Sequence, residues 1–465
     1  MNELESVLAH AGVHLDESLA RLRDIVAIPS ISADPAYSGD CRRAAQWVVE
    51  TLRDMGCAAD LRETAGQPMV VGHYVPKGAT AKTPHALFYG HYDVQPADPL
   101  DKWLTPPFEL TARKDAKGVE RLYGRGAADD KGQFLTFVEA ARAWIAVTGS
   151  LPIAATFLIE GEEESGSPSL IPFLKANRKE LSRDVALICD TTMWDEKTPA
   201  ITTRLRGMVH DEVTITGPRI DLHSGSYGGP VHNPIRALTQ ILGALHDKHG
   251  KVTIPGFYDG VSPLPAKVKS QWAALDFSEA KFLKSVGVSI PAGEKGYSVL
   301  EQIWARPTAE VNGIYGGYQG AGSKTVLPAS ATAKITFRLV GDQKPDQVLK
   351  GFRAFVRARL PKDCKAVFSP TGGGNPAVVV KEDTPVIAKV ARALKDEFRR
   401  EPVLMGAGGS IPICRSFKDI LGMDSVLAGF SLDDDAIHSP NEKYNLSSFN
   451  RGIRSWVRIF AGLAS

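Results

Sequence analysis

QFLTFVEAARAWIAV (133–147), IAATFLIEGEEE (153–164), SLIPFLKAN (169–177) and VALICD (185–190) follow one another along the chain. The first and third carry apolar residues at helical spacing, and the second and fourth are short apolar runs ending in acids. Strand and helix candidates that alternate in this way predict an α/β domain with a largely parallel central sheet. The pattern extends towards the N-terminus. Ala86-Leu-Phe-Tyr-Gly90 reads as a buried strand and 41–55 as a helix stopped by Gly56. From Leu15 to Val26 the apolar positions keep helical spacing up to the break at Pro29.

Near Arg206-Gly207 the pattern changes. Residues 210–216 and 331–340 alternate as half-buried strands, 234–246 and 345–360 are amphipathic helices, and 365–369 is a further strand. This order predicts a small α+β sandwich with helices on one face. Thr371-Gly-Gly-Gly-Asn-Pro376 reads as the hinge out of it. The expected division is therefore 1–206 with 376–465 as one domain and 207–375 as an insertion. A chain of 465 residues exceeds the roughly 250–300 residues at which one core stops growing, which agrees with two domains.

The charge balance narrows the function. Fifty-five Lys plus Arg nearly cancel 53 Asp plus Glu, and no basic stripe interleaved with aromatics is present, so nucleic acid is not an expected partner. No apolar stretch approaches the roughly 18 residues of a membrane span, and the acidic start does not read as a signal peptide. Five scattered cysteines without Cys-x-x-Cys spacing read as reduced thiols of a cytoplasmic protein. Cys189 follows strand alternation away from the side that Asp190 faces, so it reads as structural rather than as a nucleophile.

The chemistry gathers where the predicted strands end. His91 and Asp93, two apart after a buried strand, project to one side; imidazole is a common metal ligand, and a nearby carboxylate can orient its second nitrogen. Gly124-Arg-Gly-Ala-Ala-Asp129-Asp-Lys-Gly132 is a glycine-flanked loop entering a helix. It lacks the G-x-G-x-x-G spacing, and its paired acids would repel phosphate unless a metal lay between them. Glu160-Gly-Glu162-Glu163-Glu164 crowds carboxylates at the edge of a core, where cations or protonation must compensate them. Asp190 ends the next strand, and Asp433-Asp-Asp-Ala-Ile-His438-Ser-Pro-Asn-Glu442 brings a histidine into another acidic loop. Recurrence at successive strand ends is where open α/β sheets put ligand sites.

Taken together, His91-x-Asp93, Gly-Arg-Gly-x-x-Asp129-Asp-Lys-Gly, Glu163-Glu164-Ser-Gly-Ser, Asp190 and His438-Ser-x-Asn-Glu resemble the M20 metallopeptidase family, and within it the cytosolic nonspecific dipeptidase, carnosinase-like branch. The resemblance runs in order over nearly the whole chain. It implies an α/β/α catalytic domain holding two divalent metals and an inserted lid and dimerisation domain. Asp129 would bridge the metals, with His91 and Asp190 completing one site and Glu164 and His438 the other. Zn²⁺ is the first expectation, with Mn²⁺ or Co²⁺ also suited to nitrogen and oxygen ligands. Glu163 would take the proton of a water between the metals and pass it to the leaving amine, while Asp93 would tune the site. The peptide bond after Asp129 would be cis.

The resemblance also implies a homodimer in which His223, in Asp221-Leu-His-Ser-Gly225, reaches across the interface to the oxyanion. Arg338 would hold a substrate carboxylate together with Gly409 and Ser410, and Thr325 would lie near the substrate. Aspartate rather than glutamate at position 190 resembles aminopeptidases and dipeptidases, so the expected reaction is hydrolysis of a dipeptide. Hydrolysis of an N-acyl, N-carbamoyl or N-succinyl amino acid by the same machinery is the alternative within enzymes. A silent metal- or peptide-binding protein is the alternative outside them; it would need neither Glu163 nor Asp93.

Overall fold

Every residue of the strand Ala154–Glu160 is buried, as are six of the seven in His85–His91, so both faces of these strands are covered by other layers. A computed structural model describes residues 2–115, 118–370, 373–409 and 412–465 and divides the chain into two compact units. The first comprises Met1–Thr203, Val380–Met405 and Ser416–Ser465, and the second Arg204–Val379 and Gly406–Arg415.

In the first unit the strands lie in the order Ala58–Arg62, Met69–Tyr74, Ala154–Glu160, His85–His91, Val185–Ile188 and Ser425–Leu427, with Ala200–Leu205 beyond. The centre is parallel: His85–His91 pairs in that sense with both neighbours, and Val185–Ile188 with Ser425–Leu427. The flanks are antiparallel. The sheet is thus mixed rather than largely parallel. The chain between Ala58–Arg62 and Met69–Tyr74 is too short for a crossover helix and can only return as an antiparallel partner.

The helices Lys131–Thr148 and Leu446–Ala464 lie against each other, and between them and the sheet is an aromatic core. Phe88 stacks on Phe460 at 4.8 Å and on Phe157 at 5.4 Å, while Trp456 meets Phe137 edge-on at 6.0 Å. Lys131–Thr148 is buried nearly all round at its start, which fixes the position of the loop that feeds it. The chain opens with two helices, Glu3–Val13 and Leu15–Val26, where apolar spacing marks only the second.

The second unit is built on a five-stranded antiparallel sheet with Gly207–Thr216 near its middle, flanked by Ser330–Leu339 and Lys365–Phe368, and with Thr308–Gly316 outside Ser330–Leu339. Alternation decides its core. Val209, Val213 and Ile215 face Leu238 and Ile241 of the helix Pro234–Gly243 and Phe352 and Val356 of the helix Pro345–Arg359. The intervening residues Met208, His210, Glu212 and Thr214 turn to the opposite face. In the hinge expected over 371–376, positions 371 and 372 lie outside the described residues.

Candidate dinuclear metal site

Parallel pairing sets His91 opposite Glu160 and Tyr89 opposite Ile188, so the carboxyl ends of three strands reach the same edge of the first unit's sheet. Glu160 runs into a short 3-10 turn, Glu163–Ser165, and Asp190 lies two residues past Ile188. Asp129 arrives from the loop before the helix Lys131–Thr148, through an Asp129–Asp130 peptide bond that is cis.

These elements bring two overlapping sets of donors together. His91, Asp129 and Asp190 form one, and Asp129, Glu164 and His438 the other, the donor atoms of each lying within 4.8 Å of one another. His91 Nε2 is 3.2 Å from Asp129 Oδ1 and 3.9 Å from Asp190 Oδ2. His438 Nε2 is 2.9 Å from Asp129 Oδ2 and 3.2 Å from Glu164 Oε2. His91 and Asp129 are buried, whereas the His438 side chain is 53% exposed, so the cluster opens to solvent on the His438 side.

The electrostatics of the bare cluster call for cations. Burial, with Asp129 beside it, pushes the Asp190 carboxyl up to about 7. Burial also pushes Glu163 up to about 8, against the pull of His91 and helped by Asp190 and Glu164. Hydrogen bonds to Asp129 and Glu164 raise His438 to about 10. Burial opposes a charge on Asp129, but the His438 and His91 rings hold its carboxyl below the usual carboxylate range. Imidazolium protons therefore serve where positive charge is needed.

The donor chemistry also fits metal. His91 Nε2 is buried and, although it stands 3.2 Å from Asp129 Oδ1, it makes no well-formed hydrogen bond among the described residues. His91 Nδ1 lies 3.0 Å from the Asp93 carbonyl oxygen, the arrangement that fixes a ligating tautomer with Nε2 free to bind. Two imidazoles and three carboxylates without a thiolate suit Zn²⁺, Mn²⁺ or Co²⁺.

Behind the cluster, Asp93 accepts hydrogen bonds from the backbone N–H groups of Glu163 and Glu164 and from the Ser32 hydroxyl. Asp130 points the other way and accepts the His91 backbone N–H at 3.0 Å. That approach requires Gly90, where a Cβ would stand 2.7 Å from Asp130 Oδ2 and 2.5 Å from Phe134 Cβ. Cys189 lies buried beside Asp130, with Sγ 3.6 Å from its carboxylate, which agrees with a structural thiol. Ala436, His438 and Asn441 all have positive φ, so the loop that presents His438 is held in a conformation L-residues rarely adopt. Asn441 fastens this loop by accepting the Leu104 N–H at 2.7 Å and donating to the Lys102 carbonyl at 2.9 Å. The motifs quoted from the sequence contain Asp130, Arg125 and Glu442, but the spacing assigned none of the three a role.

The second unit carries the other expected residues. His223 is exposed, and its Nδ1 accepts the Gly225 N–H at 3.0 Å, which leaves Nε2 as the protonated, outward donor. Thr325 lies next to it, its carbonyl accepting the Ser224 N–H at 3.0 Å. Arg338 stands opposite Met208 on the sheet face away from the helices. Arg206, just before the strand Gly207–Thr216, donates to the Gly408 carbonyl at 3.3 Å, beside the exposed Gly409, and its charge acts on that of Arg338; no motif singled it out. Ser410 lies outside the described residues.

Residues 87–461 match Peptidase family M20/M25/M40. The human Beta-Ala-His dipeptidase is 31% identical over 99% of this chain and 93% of its own length. The Cys-Gly metallodipeptidase dug1 of Schizosaccharomyces pombe is 32% identical over 97% of this chain and 96% of its own. Among solved structures, human carnosine dipeptidase 1 superposes with a TM-score of 0.79 at 30% identity, covering 100% of this chain and 99% of that one. An M20 family metallo-carboxypeptidase from Sulfolobus solfataricus gives 0.80 at 29% identity, covering 96% and 99%.

Proposed function

The chain belongs to Peptidase family M20/M25/M40 and is a metallopeptidase of that family, and on that premise we propose that it hydrolyses the peptide bond of dipeptides with two divalent cations, Zn²⁺ foremost. The observation that carries the reading is that Asp129 alone belongs to both donor sets, as a bridging carboxylate must. The dipeptide class follows from full-length relatives named for β-Ala-His and Cys-Gly dipeptides. When bound, the cations would acidify a water and polarise the scissile carbonyl.

The side chains supply the rest. Glu163 belongs to neither donor set, sits in the same turn as Glu164, and is the group to accept the proton of the attacking water and deliver it to the leaving amine. Asp93 holds that turn in register with His91. Residues 207–375 are read as the inserted lid and dimerisation domain. Within it, His223 of a second subunit would donate to the oxyanion, Arg338 would hold the substrate carboxylate together with Gly409 and Ser410 from outside that range, and Thr325 would lie near the substrate. The buried, unpaired thiols of Cys41, Cys57, Cys189 and Cys364 suit a cytoplasmic location.

The test is hydrolysis by metal-depleted protein before and after Zn²⁺ or Mn²⁺ is added, on dipeptides and on N-acetyl amino acids in parallel. Cation-restored cleavage of dipeptides is expected, while cleavage of the acyl amino acids alone would move the protein to the acylase reading. Glu163→Gln should lower kcat by about 10²–10⁴-fold with both cations retained.

A further inference from the structure

Glu442 is fully buried, and its carboxylate collects four hydrogen bonds. Oε2 accepts Arg125 Nη1 at 2.7 Å and the Gly126 N–H at 3.0 Å, while Oε1 accepts the Ala128 N–H at 2.8 Å and the Asp129 N–H at 3.0 Å. Its own carbonyl accepts the Gly124 N–H at 3.0 Å. The loop that ends in Asp129 is therefore wrapped around a single side chain. Arg125 is 1% exposed and continues the brace: Nη2 donates to the carbonyls of Pro96 at 3.1 Å and Ser439 at 3.4 Å, and the guanidinium lies 5.5 Å from the Trp103 ring centroid.

Three segments are thus pinned to one ion pair. The first contains His91, the second ends at Asp129, and the third begins at His438. We propose that the buried Arg125–Glu442 pair is the positioning device of the dinuclear site, fixing Asp129 between the two cation sites by locking its loop to the loops of His91 and His438. The inference rests on the two-metal reading above.

Only a carboxylate satisfies this geometry. Both oxygens face donors, so the amide of Gln would turn its N–H₂ towards two of them and push the loop away. A paired charge also suits a region already rich in carboxylates, because Arg125 cancels Glu442 and leaves the cations to the ligands. Both cation sites share Asp129, so loosening its loop should weaken both together. A brace for the His438 loop alone would weaken one.

Metal-depleted wild type, Glu442→Gln, Glu442→Asp and Arg125→Lys would be titrated with Co²⁺, whose visible absorption reports its ligand geometry, and with Zn²⁺ against a chromophoric chelator. For Glu442→Gln we expect affinity to fall by about 10–100-fold at both sites, a changed Co²⁺ spectrum, and a loss in kcat larger than the change in KM. Glu442→Asp, which keeps the carboxylate, should recover part of the loss. Should Glu442→Gln fail to fold, Glu442→Asp and Arg125→Lys carry the same comparison. Wild-type affinities and an unaltered Co²⁺ spectrum in the folded variants, whatever their Tm, would overturn the inference and leave the two-metal reading standing. Fewer than two cations on the wild type would sink that reading instead.

Discussion

The carboxylate of Asp93 accepts the backbone N–H of Glu163 at 3.2 Å, so the residue two positions after His91 holds the turn that carries the proposed base. Its second oxygen accepts the Glu164 N–H at 3.0 Å and the Ser32 hydroxyl at 2.6 Å, and His91 Nδ1 lies 3.3 Å from the first. With every face of this carboxylate turned to a donor, Asp93→Asn must set an amide N–H₂ against at least one of them. We expect kcat to fall by about 10–100-fold with a smaller change in KM. Steady-state kinetics on a dipeptide check this, and an unchanged kcat would remove Asp93 from the site's support.

Cation binding should release protons. Near pH 7 the bare site holds protons on His438, raised to about 10, on Glu163, raised to about 8, and on part of Asp190, raised to about 7. A ligating imidazole or carboxylate must be deprotonated, and a cation beside Glu163 favours its ionised form. The sign follows: raised pKa values mean that protons compete with metal, so affinity should increase as pH rises from about 6 to about 9. Calorimetry at pH 7 in buffers of different ionisation enthalpy should count at least one proton released per chain loaded. No buffer dependence would contradict the charge states described above.

Much of this arrangement is legible from the sequence because the chemistry falls at the ends of strands whose periodicity is strong. His91, Asp190 and Glu164 follow apolar runs, and the parallel centre of the sheet then forces them to one edge. The antiparallel flanks are not legible in the same way. Ala58–Arg62 is an edge strand with most of its side chains at least partly exposed, so it lacks the apolar run that would mark it. Thr308–Gly316 escapes for a further reason: a register shift between Val311 and Gly313 breaks its alternation and turns Val311, Ile314 and Tyr315 outward. Glu442 illustrates a different limit. Its partners are mostly backbone N–H groups more than 300 positions away, which no spacing in the sequence encodes.

Acid should weaken the fold through His85, away from the site. Its Nε2 lies 2.9 Å from the Thr156 hydroxyl, and burial, with Arg183 and His73 nearby, lowers its pKa to about 4. The unfolded chain, with His near 6.5, binds the additional proton between about pH 6.5 and 4, so stability is fully present above 6.5 and lost as pH falls through this window. The ring is only half-buried, so the contribution is at most about 1–2 kcal/mol after solvent screening. Thermal melts of His85→Gln against wild type should show a shallower loss of Tm over this range. Parallel curves would mean that other groups carry the acid response.

His223 gives the sharpest test of assembly, because its exposed ring has Nδ1 occupied by the Gly225 and Ser226 N–H groups and only Nε2 to offer outward. If that donor serves the active site of a second subunit, His223→Ala and Glu163→Gln should each be nearly inactive alone yet complement each other. In a heterodimer of the two, the subunit with intact Glu163 faces the partner with intact His223, while the other site lacks both. Co-expression with two tags and tandem purification should therefore give about half of wild-type activity, one working site of two. If His223 instead serves its own subunit, every site in the heterodimer lacks one of the two groups and no activity returns. Recovery near one half thus requires both a symmetric dimer and donation across it.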